Sequence, residues 1–227
     1  MLPTVDFCGL TFTRLLIGAN PFGGFSHQNP ARDQAMRSWH TPERIIETWN
    51  RAAAAGINTF VSNNETPHVI QSVETYLKSG APLQWVAQLS NRCAPSMQAA
   101  VDRAIEIGAK AAFFHGGIVD SLNLVDFHVV CFFDCGSLHA GRGDKFHLAD
   151  IFPAAECCRR LQKPCIAYKI MGAGRLDPAM AFEFAFSQIK PGDVVNVGMH
   201  RGDKDDIVEE NVAMVQRLLA PAPTTAG

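Results

Sequence analysis

The chain has no excess charge of either sign, no long apolar run and no even set of cysteines, and each absence excludes a class of protein. Among 227 residues, 20 Lys and Arg stand against 22 Asp and Glu. The resulting net charge of −2 leaves no basic field able to hold a phosphate backbone, which excludes nucleic acid as the main partner. Apolar stretches such as Ile166 to Tyr168 and Val194 to Val197 fall far short of the ~18 residues that cross a bilayer, so no membrane span is expected. Met1 to Phe7 carries an acidic residue where a secretory signal has a basic flank and an apolar run, which points to the cytoplasm. The 7 cysteines are an odd number and sit mostly inside apolar stretches, where Cys packs as a small hydrophobe, so no disulfide framework is expected. What is there, 47% apolar and 19% charged residues with 18 Gly and 13 Pro, is the composition of a soluble globular domain.

From Thr11 onward short β-rich runs alternate with longer helical patterns, the signature of βαβ units and a mainly parallel sheet. Strands are expected over Leu15 to Pro21, Asn58 to Asn64, Gln84 to Leu89, Ala111 to His115, Phe127 to Phe133, Cys165 to Ile170 and Val194 to Met199. Each has the near-continuous apolar reading of a strand covered on both faces. Val5 to Cys8 and Thr11 to Arg14, separated by Gly9 and Leu10, read as an N-terminal β-hairpin. Helices are expected from the Thr41 cap and Pro42 to Gly56, over Thr66 to Lys78, over Ser96 to Ile107, from Asp177 and Pro178, and over Asp205 to Leu219. Phe25 to His40 reads as a long loop. The whole is one domain over 1–220 with a frayed tail over 221–227.

That reading holds one strand fewer than the eight of a TIM-type barrel. Gly116 to Asp126 cannot supply the crossover that two parallel strands need. A helix-strand-helix passage of roughly 35 residues, the usual size of a βα unit, is therefore absent between about Asp120 and Val125. The fold class is α/β, a (β/α) barrel short by one βα unit near 120–125; an irregular seven-stranded barrel or open sheet is the alternative.

Ligands of parallel α/β folds bind where strands end and βα loops begin. Those positions hold Asn20, Asn63, Asn64, Glu65, Gln88, His115, Asp134, Lys169, Arg175, His200 and Arg201. Cys135 to His147 is polar and Gly-rich, with the composition of a lid. The opening Leu16-Ile17-Gly18-Ala19-Asn20-Pro21-Phe22-Gly23-Gly24, the passage Ala55 to Phe60, the strand ending in His115, and Val197-Gly198-Met199 followed by Glu210-Asn211 resemble the aldo/keto reductase family. The resemblance implies a (β/α)8 barrel, an NADPH hydride donor and an Asp, Tyr, Lys, His tetrad with Tyr as proton donor. Matched by position, the Asp falls on Val61, the Tyr near Thr66 and the Lys on Gln88, and His115 alone remains. Neither of the two tyrosines, Tyr76 and Tyr168, sits at the donor position, and Asp205 and Asp206 stand where a cation would hold the cofactor's 2′-phosphate.

The residues left suit other chemistry. His115 can act as acid or base near neutral pH, or simply hydrogen-bond at a strand end. Lys169 beside Tyr168 can serve as electrophile, base or Schiff-base amine, bind an anion with Arg175, or pair with Glu65. Glu65 with Asn63 and Asn64 suits polyol hydroxyls, with helix capping as the alternative. The glycines and arginines of Gly172 to Arg175 and Gly198 to Arg201 can cradle an anion. Asp134, Cys135, His139, His147 and Asp150 cluster in sequence, with Glu65, His115 and His200 able to converge, but at no diagnostic metal spacing. The expectation is a small-molecule enzyme acting on a carbonyl or sugar-like substrate by acid-base chemistry, of lyase or isomerase type. Catalysis falls to His115, Lys169 and Glu65, and substrate binding to Asn20, Asn63, Asn64, Gln88, Asp134, Arg175, His200 and Arg201. The alternatives are a divergent NAD(P)-dependent oxidoreductase and a non-catalytic barrel that binds a ligand or partner; NAD(P) and a divalent metal both stay open as cofactors.

Overall fold

The structure, a computed structural model, describes residues 1–90, 94–114, 125–135 and 146–221. The expected hairpin forms first: β1 (Thr4–Phe7) pairs antiparallel with β2 (Leu10–Thr13) about a turn in which Cys8 and Gly9 both have positive φ. Seven parallel strands follow, β3 (Leu15–Gly18), β4 (Thr59–Asn63), β5 (Gln84–Leu89), β6 (Ala111–Phe114), β7 (His128–Cys131), β8 (Cys165–Tyr168) and β9 (Val194–Gly198). Their spatial order, β6-β5-β4-β3-β9-β8-β7, is that of a barrel nearly closed on itself. Its seam lies between β6 and β7, where the sequence has too little chain for another βα unit. The edge strands show it: β6 and β7 are half-buried throughout, whereas every residue of β3 and β4 is buried. Much of the segment joining them, 115–124, lies outside the described residues, as does 222–227 of the expected tail.

The helices are α1 (Pro30–Trp39), α2 (Pro42–Ala54), α3 (Pro67–Lys78), α4 (Met97–Ile107), α5 (Ile151–Arg160), α6 (Pro178–Gln188) and α7 (Ile207–Leu218). The loop expected over Phe25 to His40 is corrected by α1. Asn29 caps it by accepting from the Arg32 amide, and Pro30 opens its first turn, but only Met36 is buried, so no apolar stripe marks the helix in the sequence. A second helix absent from the sequence reading, α5, follows the lid-like stretch.

Side chains alternate across each strand, which divides the apolar residues into two cores. The outward residues, among them Phe60, Trp85 and Ala87, pack under the helices around Trp49 and Tyr76. The inward residues Leu16, Val61, Val86, Ile166 and Val194 meet the hairpin phenyls Phe7 and Phe12, whose rings stack at 5.0 Å. The hairpin thus plugs the amino end of the barrel. Asn58 holds it there, accepting from the Thr13 amide at 2.9 Å and donating to the Thr11 carbonyl at 2.9 Å. Among the described residues no helix is long and apolar enough to cross a membrane, and the six cysteines described are free thiols.

Candidate functional site

Above the apolar floor, the next inward positions are polar: Asn63 on β4, Gln88 on β5, Tyr168 on β8 and Asn196 on β9. With Asn20 and Lys169 they line a cavity at the carboxyl end of the barrel, whose two lobes have volumes of about 390 and 380 Å³. One lobe reaches toward α1, between Arg32, Met36, His200 and Asp203. The other reaches Glu65, Thr66, Phe113 and Val129, on the side of the seam.

Backbone strain concentrates here. Of the five non-glycine residues in the left-handed region among those described, His27, Lys169 and Ala173 all line the cavity. Such conformations cost about 1–3 kcal/mol each and persist where the surroundings over-determine them. Lys169, with φ 57°, ends β8 and brings its ammonium 3.4 Å from the Asp134 carbonyl oxygen. Burial holds its pKa below the ordinary lysine range, and Cys131, Cys135 and Asp134 act in the opposite direction. Tyr168 is a poor acid, because burial, together with Cys131, raises its phenol well above the ordinary value.

The amides differ in what they leave free. Asn63 Oδ1 accepts from the amides of Glu65 and Thr66 at 3.2 and 3.0 Å, so it shapes the β4–α3 turn while still lining the cavity. Asn64 Oδ1 accepts from the Ser90 amide at 3.1 Å, tying the ends of β4 and β5 together outside the cavity lining. Asn196 Oδ1 is buried with no hydrogen-bond partner among the described residues. Gly18 makes the space for it: a Cβ there would lie 2.9 Å from Asn196 Oδ1. Gly18→Ala is accordingly expected to displace Asn196 and cost about 1–3 kcal/mol as an overpacking change. The urea midpoint reads this cost, which shrinks when Asn196→Ala is made in the same chain.

The expected arginines serve the walls. Arg175 donates to the Gly172 and His27 carbonyls at 3.0 and 3.2 Å and stacks on Phe146, joining the loop after β8 to the loop before α1. Arg201 is buried and forks Glu47 at 2.9 Å and Asp205 at 2.6 Å. Neither lines the cavity, nor does Asp134, whose carbonyl oxygen lies 3.4 Å from the Lys169 ammonium. His200 does line it. Its Nδ1 lies 2.9 Å from Nε2 of His40, and both rings are buried beside Trp39. Burial, with the neighbouring His200, His68, Arg201 and Arg44, lowers His40 to about 3, while burial and Arg32 lower His200 to about 4. The unfolded chain protonates these rings near 6.5, before the folded one does, so their contribution is complete above that pH and is lost as pH falls from 6.5 toward about 4. A drop in urea midpoint across that interval, reduced in His40→Leu, is the expected outcome.

His115 lies outside the described residues, as does His139. Among the described residues no group of three His, Cys, Asp or Glu side chains is placed to hold a metal. Sequence reasoning missed Tyr168 and Asn196 as lining residues, along with the His40 partner of His200. Period-two reading of Val194-Asn196-Gly198 and Ile166-Tyr168 would have marked the first two as inward, whereas nothing local marks His40.

The side chains do not fit the nicotinamide cofactor that the family resemblance implies. Val61, Thr66 and Gln88 line the cavity where its Asp, Tyr and Lys would stand. Past β9, Asp203, Asp205 and Glu209 already hold Arg32, Arg51 and Arg201 in ion pairs, leaving a carboxylate-rich surface for a phosphate to meet.

No protein family description matches the chain, and no curated protein does. Solved structures do. "Putative aldo-keto reductase from Pseudomona aeruginosa" is 18% identical with TM-score 0.51, covering 96% of this chain and 94% of that one. The dihydropteroate synthase of Xanthomonas albilineans, in complex with 7,8-dihydropteroate, is 12% identical with TM-score 0.52, covering 97% and 100%. At such identities the likeness is one of fold: this chain is built as a parallel α/β barrel of the TIM type, similar to that of an aldo-keto reductase-like protein and to that of a dihydropteroate synthase.

Proposed function

We propose that the chain is a small-molecule enzyme whose cavity carries out acid-base chemistry on a carbonyl or sugar-like compound, of lyase or isomerase type, with Lys169 moving the proton. The observation that carries this reading is Lys169 itself: a half-buried lysine in a strained left-handed conformation at the end of β8, lining both lobes of a cavity otherwise lined largely by neutral groups. A desolvated amine of lowered pKa accepts a proton from the carbon next to a carbonyl, breaking C–H, forming N–H and leaving an enediolate. The resulting ammonium returns the proton to the adjacent carbon or to solvent. Asn63, Gln88 and Asn196 offer amide groups to hydroxyls and to the carbonyl oxygen, and Glu65 borders the second lobe.

The test is solvent-deuterium incorporation into dihydroxyacetone and glyceraldehyde in D2O, followed by proton NMR. Loss of the α-proton signal only in the presence of the protein is the expected result. No exchange with either compound counts for a non-catalytic barrel, and tight binding of NADH or NADPH by nicotinamide fluorescence counts for a reductase.

A further inference from the structure

The α1 lobe of the cavity ends on an imidazole whose proton position can be read from its surroundings. His40 Nε2 and His200 Nδ1 are 2.9 Å apart, so one proton lies between them and either ring can carry it. If His200 carried it, the remaining proton of neutral His40 would sit on Nδ1, which is buried with no partner among the described residues. Orphaned buried N–H groups are rare in folded proteins, and under-satisfied acceptors are less so. At the other end, His200 Nε2 faces Asp203 Oδ1 at 3.9 Å, where a bare lone pair would be repelled by the carboxylate and an N–H attracted. Both ends select the same arrangement: His40 Nε2–H donates to His200 Nδ1, and His200 carries its proton on Nε2.

The pair is held from every side. Trp39 meets both rings edge-on, and Phe22 lies against His40 at 4.7 Å between centroids. The charged and titratable groups facing His40 are His68, Arg44 and Arg201, and those facing His200 are Arg32 and Asp203. All but Asp203 oppose a positive charge on the rings. Gly202 leaves the Nε2 edge its space, since a Cβ there would come within 2.7 Å of Nε2 and 3.0 Å of Trp39 Cγ. The nearby Arg32 is closed on Asp203, so its guanidinium is not an open cation beside the imidazole.

We propose that His40 is a positioning residue that fixes His200 as its Nε2–H tautomer, so that the α1 lobe offers a neutral hydrogen-bond donor to an uncharged carbonyl or hydroxyl oxygen of the substrate rather than a cationic seat for a carboxylate or phosphate. A neutral imidazole can polarise an oxygen without carrying charge into the site. The proposal rests on the reading of this cavity as the substrate site only for the last step.

The test is two-bond proton–nitrogen correlation on the 15N-histidine-labelled full chain, without ligand, from pH 8 to pH 5. Expected are a pyrrole-type Nε2 and an acceptor-shifted pyridine-type Nδ1 for His200 over the whole range, with a protected His40 Nε2–H. A pyrrole-type Nδ1 on His200, or protonation of both its nitrogens at pH 6, overturns the proposal. His40→Leu is expected to move His200 Nδ1 to the unbonded position and remove the protected proton; if that variant does not fold, the unsubstituted spectrum alone decides. Dihydroxyacetone is expected to shift His200 Nε2–H and inorganic phosphate to leave it unmoved. The reverse pattern, or no shift with either, overturns the role toward substrate. Because the tautomer is read on the ligand-free chain, its failure and a failure of the Lys169 chemistry appear in different experiments.

Discussion

Lys169→Met is expected to slow protein-dependent deuterium exchange into an α-hydroxy ketone by about two to four orders of magnitude, the usual contribution of a positioned proton carrier. The methionine fills nearly the same volume, so the cavity keeps its shape and binding of the ketone, read by NMR line broadening, stays within a few-fold. Stability should hold or rise, because the substitution removes a charge whose protonated form is penalised by burial. Lys169→Gly separates the two roles of the position. It abolishes exchange equally but raises the thermal midpoint, since glycine adopts φ 57° without the strain that a side chain brings. Exchange that survives both substitutions removes Lys169 from the chemistry.

The largest stability loss is expected at the opposite end of the barrel. Asp193 is fully buried, its Oδ1 accepting from the Cys165 amide at 2.8 Å and its Oδ2 from the Lys190 amide at 2.8 Å and ammonium at 3.0 Å. Lys190 also donates to the Cys158 carbonyl at 2.6 Å, so one carboxylate joins the end of α5, the start of β8 and the turn before β9. Asp193→Ala leaves an uncompensated ammonium and two orphaned amides, and should cost about 3–5 kcal/mol in urea unfolding. Asp193→Ala with Lys190→Met should cost less than Asp193→Ala alone, because no unpaired charge then remains. A double variant as unstable as the sum of the singles would show that the two side chains act independently.

Much of the fold was legible because its signals are local. The near-continuous apolar strand runs, the Thr41 cap and the helix over Ser96 to Ile107 each rest on residues close in the chain, and each has its counterpart in the structure. The shortage of chain before Phe127 was legible as well, and it reappears as the seam between β6 and β7. Helix α1 was not, because its sequence PARDQAMRSW buries only Met36 and so lacks the apolar stripe that periodicity detects. Among the site residues, Asn20, Asn63, Gln88, Lys169 and His200 were marked by their place at strand ends, and they do line the cavity. Arg175 and Arg201 were marked by the same rule yet bind the walls, since a long guanidinium takes the nearest carbonyl or carboxylate whichever way its loop turns.

By itself, then, the sequence determined the class of the fold, the direction of its strands, the site of its missing unit and the end at which the cavity opens. All four follow from period, punctuation and chain length, which act on neighbouring residues. Only the tertiary structure decided that Lys169 is half-buried and strained, that Asn196 stands as an unmet acceptor against Gly18, and that His40 meets His200 across 160 residues of chain. Those facts depend on desolvation and on contacts between distant segments, quantities that come into being only when the barrel closes around them.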